Sequence, residues 1–248
     1  MTSGPGEPEP GAVPGHARRD VTRDVTRDAA PGTERPASPT GRYGLLLILL
    51  VGTYLLSAFT TGKLVNAVQI VVFVVALLLA LRNALVATWV ARLIVGVVAA
   101  GSAVAFGLAL AQPSLAAVGA AEIWAGLVLL TAAVVIVYRI LASTTVTLQS
   151  IYGAVSAYMV IGLMFAAFYG AMDRLGGGLF FADGQPGDTR TFQYFSFTTL
   201  TTLGYGDFTA AGNAGRAVAV MEAMFGQIFL ATLVARLVSA FRPSDRRQ

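Results

Sequence analysis

Thr201-Thr202-Leu203-Gly204-Tyr205-Gly206-Asp207 suits neither a helix nor a strand, yet it lies between two strongly apolar runs. Gly204 and Gly206 alternate with bulkier residues, so every second position has access to φ/ψ values that glycine adopts freely and other residues avoid. The backbone can then point successive carbonyls the same way. Four such strands around an axis would make stacked rings of oxygen, able to replace the water around a cation. The stretch is therefore read as an ion filter.

The composition demands a setting for it. The 248-residue chain is 56% hydrophobic and 12% charged, with a mean hydropathy of +0.70. That is too apolar for one soluble domain and points to an all-α integral membrane protein. A net charge of +4 and a pI near 9.7 do not imply nucleic acid, because the basic residues sit at the ends of apolar runs and form no stripe with interleaved aromatics. The absence of cysteine excludes disulfides, thiolate metal sites and cysteine nucleophiles. The lone His16 has no ligand-spaced partner. No enzyme and no cofactor are expected. One lysine against sixteen arginines, with abundant Ala, Gly and Val, suggests a GC-rich bacterial genome.

Residues 1–42 are rich in Pro and Gly, carry six basic and six acidic side chains and lack apolar periodicity, so they are expected to form a disordered cytoplasmic tail. The repeat Val21-Thr22-Arg23-Asp24-Val25-Thr26-Arg27-Asp28 fits a self-neutralising solvated linker. The tail is not a secretory signal, since the first apolar run begins only near Gly44 and further runs follow it. Six apolar blocks then approach the ~20 residues that a helix needs to cross a bilayer. They run roughly 44–60, 64–81, 92–111, 120–140, 146–171 and 216–241. Thr61-Gly62-Lys63 is expected to turn between the first two, Gln112-Pro113 to close the third, and Ser143-Thr144-Thr145 to precede the fifth.

A cytoplasmic amino terminus places thirteen basic residues in inside segments and only Lys63, Arg174, Arg190 and Arg216 outside. The positive-inside rule thus puts both termini in the cytoplasm and the segment between the fifth and sixth spans outside. That segment opens with a Gly-rich polar excursion, Asp173 to Arg190, read as an extracellular turret. Next, Phe192 to Thr201 is too short to span a bilayer and is read as a re-entrant pore helix. Its carboxyl end would present a partial negative charge to the axis.

These residues resemble the potassium channel family over about Val146 to Arg242, most specifically at the filter. The resemblance implies a homotetramer in membrane lipid, with K+ as the permeant ion and the pore in the last two of six spans. It assigns the carbonyls of Thr202, Leu203, Gly204 and Tyr205 to K+ coordination, Gly206 to the filter turn and Asp207 to the outer mouth. Tyr194, Phe195, Thr198 and Thr201 become pore-helix support, and Gly226, nineteen residues beyond Asp207, the gating hinge. Close packing through a small residue is the other reading of Gly226. The chain departs from common members in Leu203 for valine, in Tyr194 and Phe195 for a tryptophan pair, and in Thr198 for a glutamate that bonds the filter aspartate. Glu222, one turn from Gly226, is expected to bond the back of the pore helix through Ser196 or Thr199.

Six spans also resemble the voltage-gated layout, in which residues 43–142 would be a sensor-like four-helix domain and 143–242 the pore domain. Gating charges each contribute about 2.3 kcal/mol per 100 mV when moved across the field. The fourth run offers only Arg139, at its inner end, so strong voltage gating is not expected. Gly96, Gly101 and Gly107 suggest close packing of the third run, and residues 243–248 a short cytoplasmic tail. The function implied is passive K+-selective conduction, with a regulatory ligand that the sequence does not identify. The alternatives are a non-selective cation channel, a K+ transporter subunit, and a non-conducting partner subunit or scaffold.

Overall fold

A computed structural model describes residues 42–60, 63–83, 88–111, 114–143 and 146–240, with residues 1, 2 and 4. The amino-terminal tail, the turns at Thr61-Gly62 and Gln112-Pro113, and the end from residue 241 lie outside the described residues. Among the described residues seven α-helices follow in order: α1 (Arg42–Phe59), α2 (Lys63–Asn83), α3 (Thr88–Ala111), α4 (Leu115–Ala142), α5 (Leu148–Leu175), α6 (Thr189–Leu200) and α7 (Asn213–Ala240). Among the described residues there is no strand, only an antiparallel bridge between Phe181 and Ala210. Lys63, expected in the first turn, is the first residue of α2.

Among the described residues, three helical segments are long and apolar enough to cross a membrane: Leu115–Ala142, Leu148–Leu175 and Asn213–Ser239. Tyr43–Phe59 and Arg92–Val104 are shorter apolar stretches. Capping sets the ends of the long helices. Ser114 accepts the Ala117 N–H at 3.2 Å, so α4 starts five residues before the apolar block at Ala120. Thr147 and Ser150 form a reciprocal capping box at the start of α5. The same helix runs on to Leu175 and closes at Gly176. Asp173 and Arg174, expected in the turret, therefore belong to the last turn of α5. Its apolar face still has Leu175 to seat there, against Gly119 of α4.

α4 and α5 pack against each other along their length, and glycines set the closeness. A Cβ on Gly119, Gly126 or Gly170 would overlap Leu175, Phe168 or the Glu122 carboxylate. Glu122 itself lies 3.4 Å from Arg174, which also approaches Asp173 at 3.8 Å. α1, α2 and α3 gather on this hairpin around Leu46, Leu50, Leu77, Leu129 and Ile136, all essentially buried. Of the third run's glycines Gly101 packs under the Trp124 ring, whereas a Cβ on Gly96 or Gly107 would meet nothing within 4 Å among the described residues.

α6 rests between α5 and α7 and touches α1. Gly162 of α5 admits the Phe197 ring, where a Cβ would collide with it. α7 is the least covered of the long helices. One stripe, including Glu222 and Gly226, is buried, while Val220, Met221, Met224, Phe225 and Ile228 are exposed.

Candidate functional site

The stretch from Thr201 to Asp207 leaves the end of α6 as irregular, exposed backbone. Its φ angles change sign at alternate residues: Thr202 has φ 57°, Gly204 55° and Gly206 80°, while Leu203 and Tyr205 keep negative values. Alternating left- and right-handed residues turn successive peptide planes so that their carbonyls share a side and their N–H groups share the other. Glycine meets this demand freely at positions 204 and 206. Thr202 does not: a β-branched residue in the left-handed region carries strain of about 1–3 kcal/mol.

Hydrogen bonds hold that strain in place. The Thr199 carbonyl accepts the Thr202 N–H at 2.9 Å, and the Thr198 carbonyl accepts both the Leu203 and the Gly204 N–H, at 2.8 and 3.1 Å. The Phe197 carbonyl takes the Thr201 N–H and hydroxyl, and the Leu200 carbonyl takes the Tyr158 hydroxyl at 2.9 Å. The last four carbonyls of a helix have no partner within it. Here all four are satisfied, three of them by the stretch that follows. That carboxyl end, expected to present partial negative charge to the axis, also binds the backbone of residues 201–204 to the helix. The N–H groups of 202–204 thus face α6. Among the described residues, the carbonyls of Thr202, Leu203, Gly204 and Tyr205 accept no hydrogen bond.

Around this backbone the support residues take distinct places. Phe195 is buried in an aromatic cluster with Tyr169, Phe180 and Phe181, at ring separations of 5.0–5.8 Å. Tyr194 sits edge-on to Phe208 at 6.0 Å, and a side-chain hydrogen bond with Asp207 pushes its phenol pKa up. Phe195 and Thr198 make no bond to Asp207 among the described residues. The Thr198 hydroxyl donates to the Phe195 carbonyl at 3.0 Å, which leaves the Thr198 carbonyl for the filter. The Phe181–Ala210 bridge, through Ala182 N–H to Thr209 O and Ala211 N–H to Phe180 O, ties the segment after α5 to the segment beyond Asp207. At the amino end of α6, Asp188 caps the Thr191 N–H at 2.8 Å and pairs with Arg190 at 3.0 Å. Burial alone would raise the Asp188 carboxyl, but the bonds from Thr191 and Arg190 outweigh it and hold its pKa below the usual range.

α7 backs the arrangement. Gln227 donates to the Thr202 hydroxyl at 3.3 Å. Glu222 is fully buried, 2.5 Å from the Ser196 hydroxyl as expected, and also receives the Tyr169 hydroxyl at 2.6 Å. Gly226 is buried against the end of α6, where a Cβ would run into the Leu200 carbonyl oxygen. Arg236 donates to the carbonyl of Ser143, and to its hydroxyl at 3.0 Å, within the same chain.

Four partners were not legible beforehand: Tyr158 at Leu200, Tyr169 at Glu222, the Phe180-Phe181 pair under the turret, and Ser57, 2.6 Å from the Gln193 carboxamide. Three of the four join residues far apart in sequence. Only the unusual run of aromatics in 180–197 hinted at one of them.

Residues 125–242, just under half of the chain, match the family model described as Ion channel. No curated protein and no solved structure matches the chain. The matched segment contains most of α4, all of α5 and α6, the irregular stretch and α7. Family match and apolar helices together support an ion channel carried on membrane helices.

Proposed function

We propose that the chain is one subunit of a homotetrameric, potassium-selective channel that conducts passively. The carrying observation is the alternation of φ over residues 202–206 with carbonyls that accept no hydrogen bond among the described residues. One strand of this kind gives a single column of oxygens; four around an axis give rings that replace a cation's water. Leu203 and Tyr205 are 55% and 69% exposed in the single chain, and so are apolar faces of α7, surfaces that identical neighbours would cover.

In this reading the subunit crosses the bilayer six times with both termini cytoplasmic. Thr202, Leu203, Gly204 and Tyr205 coordinate K+, Gly206 turns the strand outward and Asp207 lies at the outer mouth. The first four helices form a scaffold without gating charges, so conduction depends little on voltage. Lipid is its surrounding partner, and neither nucleic acid nor a bound cofactor takes part. The decisive test is the reversal potential of the purified protein in planar bilayers. It should follow the K+ gradient across a K+/Na+ asymmetry; one that ignores that gradient contradicts selectivity and favours a non-selective cation channel, while an assembled tetramer that passes no current favours the scaffold reading.

A further inference from the structure

Glu222 occupies a place in the fold that its charge makes costly. It is fully buried in the packed stripe of α7, behind α6. Among the described residues no basic side chain pairs with it: the ion pairs are Arg174 with Glu122 and Asp173, and Arg190 with Asp188. The titratable groups facing it come from α5, Tyr169 in direct contact and Tyr158 further off. α6 presents the Ser196 hydroxyl, and the charged residues of α7 itself, Arg216 and Arg236, bond to the Ala210 carbonyl and to Ser143 instead. A buried charge in such surroundings is strongly disfavoured unless it is paired.

The oxygen separations allow a stricter argument. Three contacts at bonding distance run in sequence: Tyr169 hydroxyl to Glu222 Oε2 at 2.6 Å, Glu222 Oε1 to Ser196 Oγ at 2.5 Å, and Ser196 Oγ to the Gly162 carbonyl at 2.7 Å. Each needs one hydrogen between its oxygens. Tyrosine and serine hydroxyls supply one each, and a backbone carbonyl supplies none. The Ser196 hydrogen must go to Gly162, because that carbonyl can only accept. The Tyr169 hydrogen goes to Oε2. The middle contact then lacks a hydrogen unless the carboxyl carries it.

We infer that Glu222 is a positioning residue of the filter that works as a neutral carboxylic acid, its proton being the third hydrogen of the chain Tyr169 → Glu222 → Ser196 → Gly162. The chain runs one way and joins α5, α7 and α6. It fixes α6 at Ser196, two residues before the Thr198 carbonyl that holds Leu203 and Gly204. The role of Glu222 rests on the proposed channel reading, but its protonation does not. An ionised carboxylate would instead face the serine oxygen lone pair to lone pair, or pull the Ser196 hydrogen away from Gly162.

Glutamine is the isostere of the neutral acid: its amide N–H can donate to Ser196 while its oxygen accepts from Tyr169. The test uses the full-length protein in lipid at neutral pH. The infrared difference spectrum of wild type minus E222Q should show a protonated-carboxyl C=O band, and its position should shift in Y169F. E222Q should keep the unfolding temperature and the K+/Na+ flux ratio of wild type. E222A should lower the unfolding temperature by roughly 2–10 °C and reduce the flux ratio. A carboxylate band in place of the C=O band overturns the inference, as does an E222Q protein as damaged as E222A. The spectrum and the unfolding temperature need no conduction, so they stand even if the channel reading fails. A neutral Glu222 with unchanged flux selectivity in E222A would refute the positioning role alone.

Discussion

Tyr158 of α5 donates its hydroxyl to the backbone carbonyl of Leu200, the last residue of α6, at 2.9 Å. α6 is thereby fastened at the end from which residues 201–207 depart. Y158F removes the donor and leaves that carbonyl short of one partner, a loss of about 0.5–1.5 kcal/mol. Thermal unfolding of the variant in detergent should fall by a few degrees while K+ conduction persists. An unchanged unfolding temperature would mean that the bond contributes nothing to holding α6.

Gly204 has φ 55°, and nothing lies within 4 Å of the place its Cβ would take, so backbone conformation alone argues against a side chain there. The left-handed region costs a non-glycine residue roughly 1–2 kcal/mol. G204A should abolish selective K+ conduction while the tetramer still elutes as such on size exclusion. Selective currents from an assembled G204A protein would sever the φ alternation from function.

Gly226 presents the opposite case, since the space for its Cβ is taken by the Leu200 carbonyl. G226A should push α7 away from α6 and destabilise the protein by about 1–3 kcal/mol, as overpacking does. A hinge without a packing role would give normal stability and altered opening. Thermal stability alongside single-channel open probability separates the two.

Asp188 caps α6 through Thr191, and D188A should cost about 1 kcal/mol at neutral pH. The carboxyl's pKa is lowered on folding, so its contribution is complete above the unfolded value, about pH 4, and is lost as pH falls through the lowered one. Wild type and D188A should therefore converge in stability at strongly acid pH. A gap that stays constant down to that range would contradict the ionised cap.

Arg139, the one basic residue of α4, lies over the Tyr43 ring at 5.8 Å, at the helix end. R139Q should leave the activation curve nearly where it was. A shift of tens of millivolts would make α4 a voltage sensor after all.

How far the sequence reached depended on whether a feature was local. The alternation of Gly204 and Gly206, the short polar helix before them and the apolar runs are local, and they appear within a few residues of their expected places. Thr202 was expected to give a carbonyl, but nothing local says that a β-branched residue will adopt φ 57°. That conformation comes from the Thr198 and Thr199 carbonyls, which exist as acceptors only once α6 ends at Leu200. Asp173 and Arg174 look like turret by polarity, yet Leu175 and Gly176 decide where α5 stops. The bond from Arg236 to Ser143, at the α4–α5 junction, joins residues ninety-three apart in sequence and has no local signal. The link between Glu222 and Ser196 was foreseeable from helix spacing, whereas Tyr169, fifty-three residues away, was not.

The central claim is that residues 202–205 form a K+-selective oxygen column in a tetramer. Flux of K+ against Na+ through the purified full-length protein in liposomes tests it most directly. The account predicts K+ uptake that greatly exceeds Na+ uptake in wild type and disappears in G204A. Equal K+ and Na+ uptake, or none from an assembled tetramer, would contradict it.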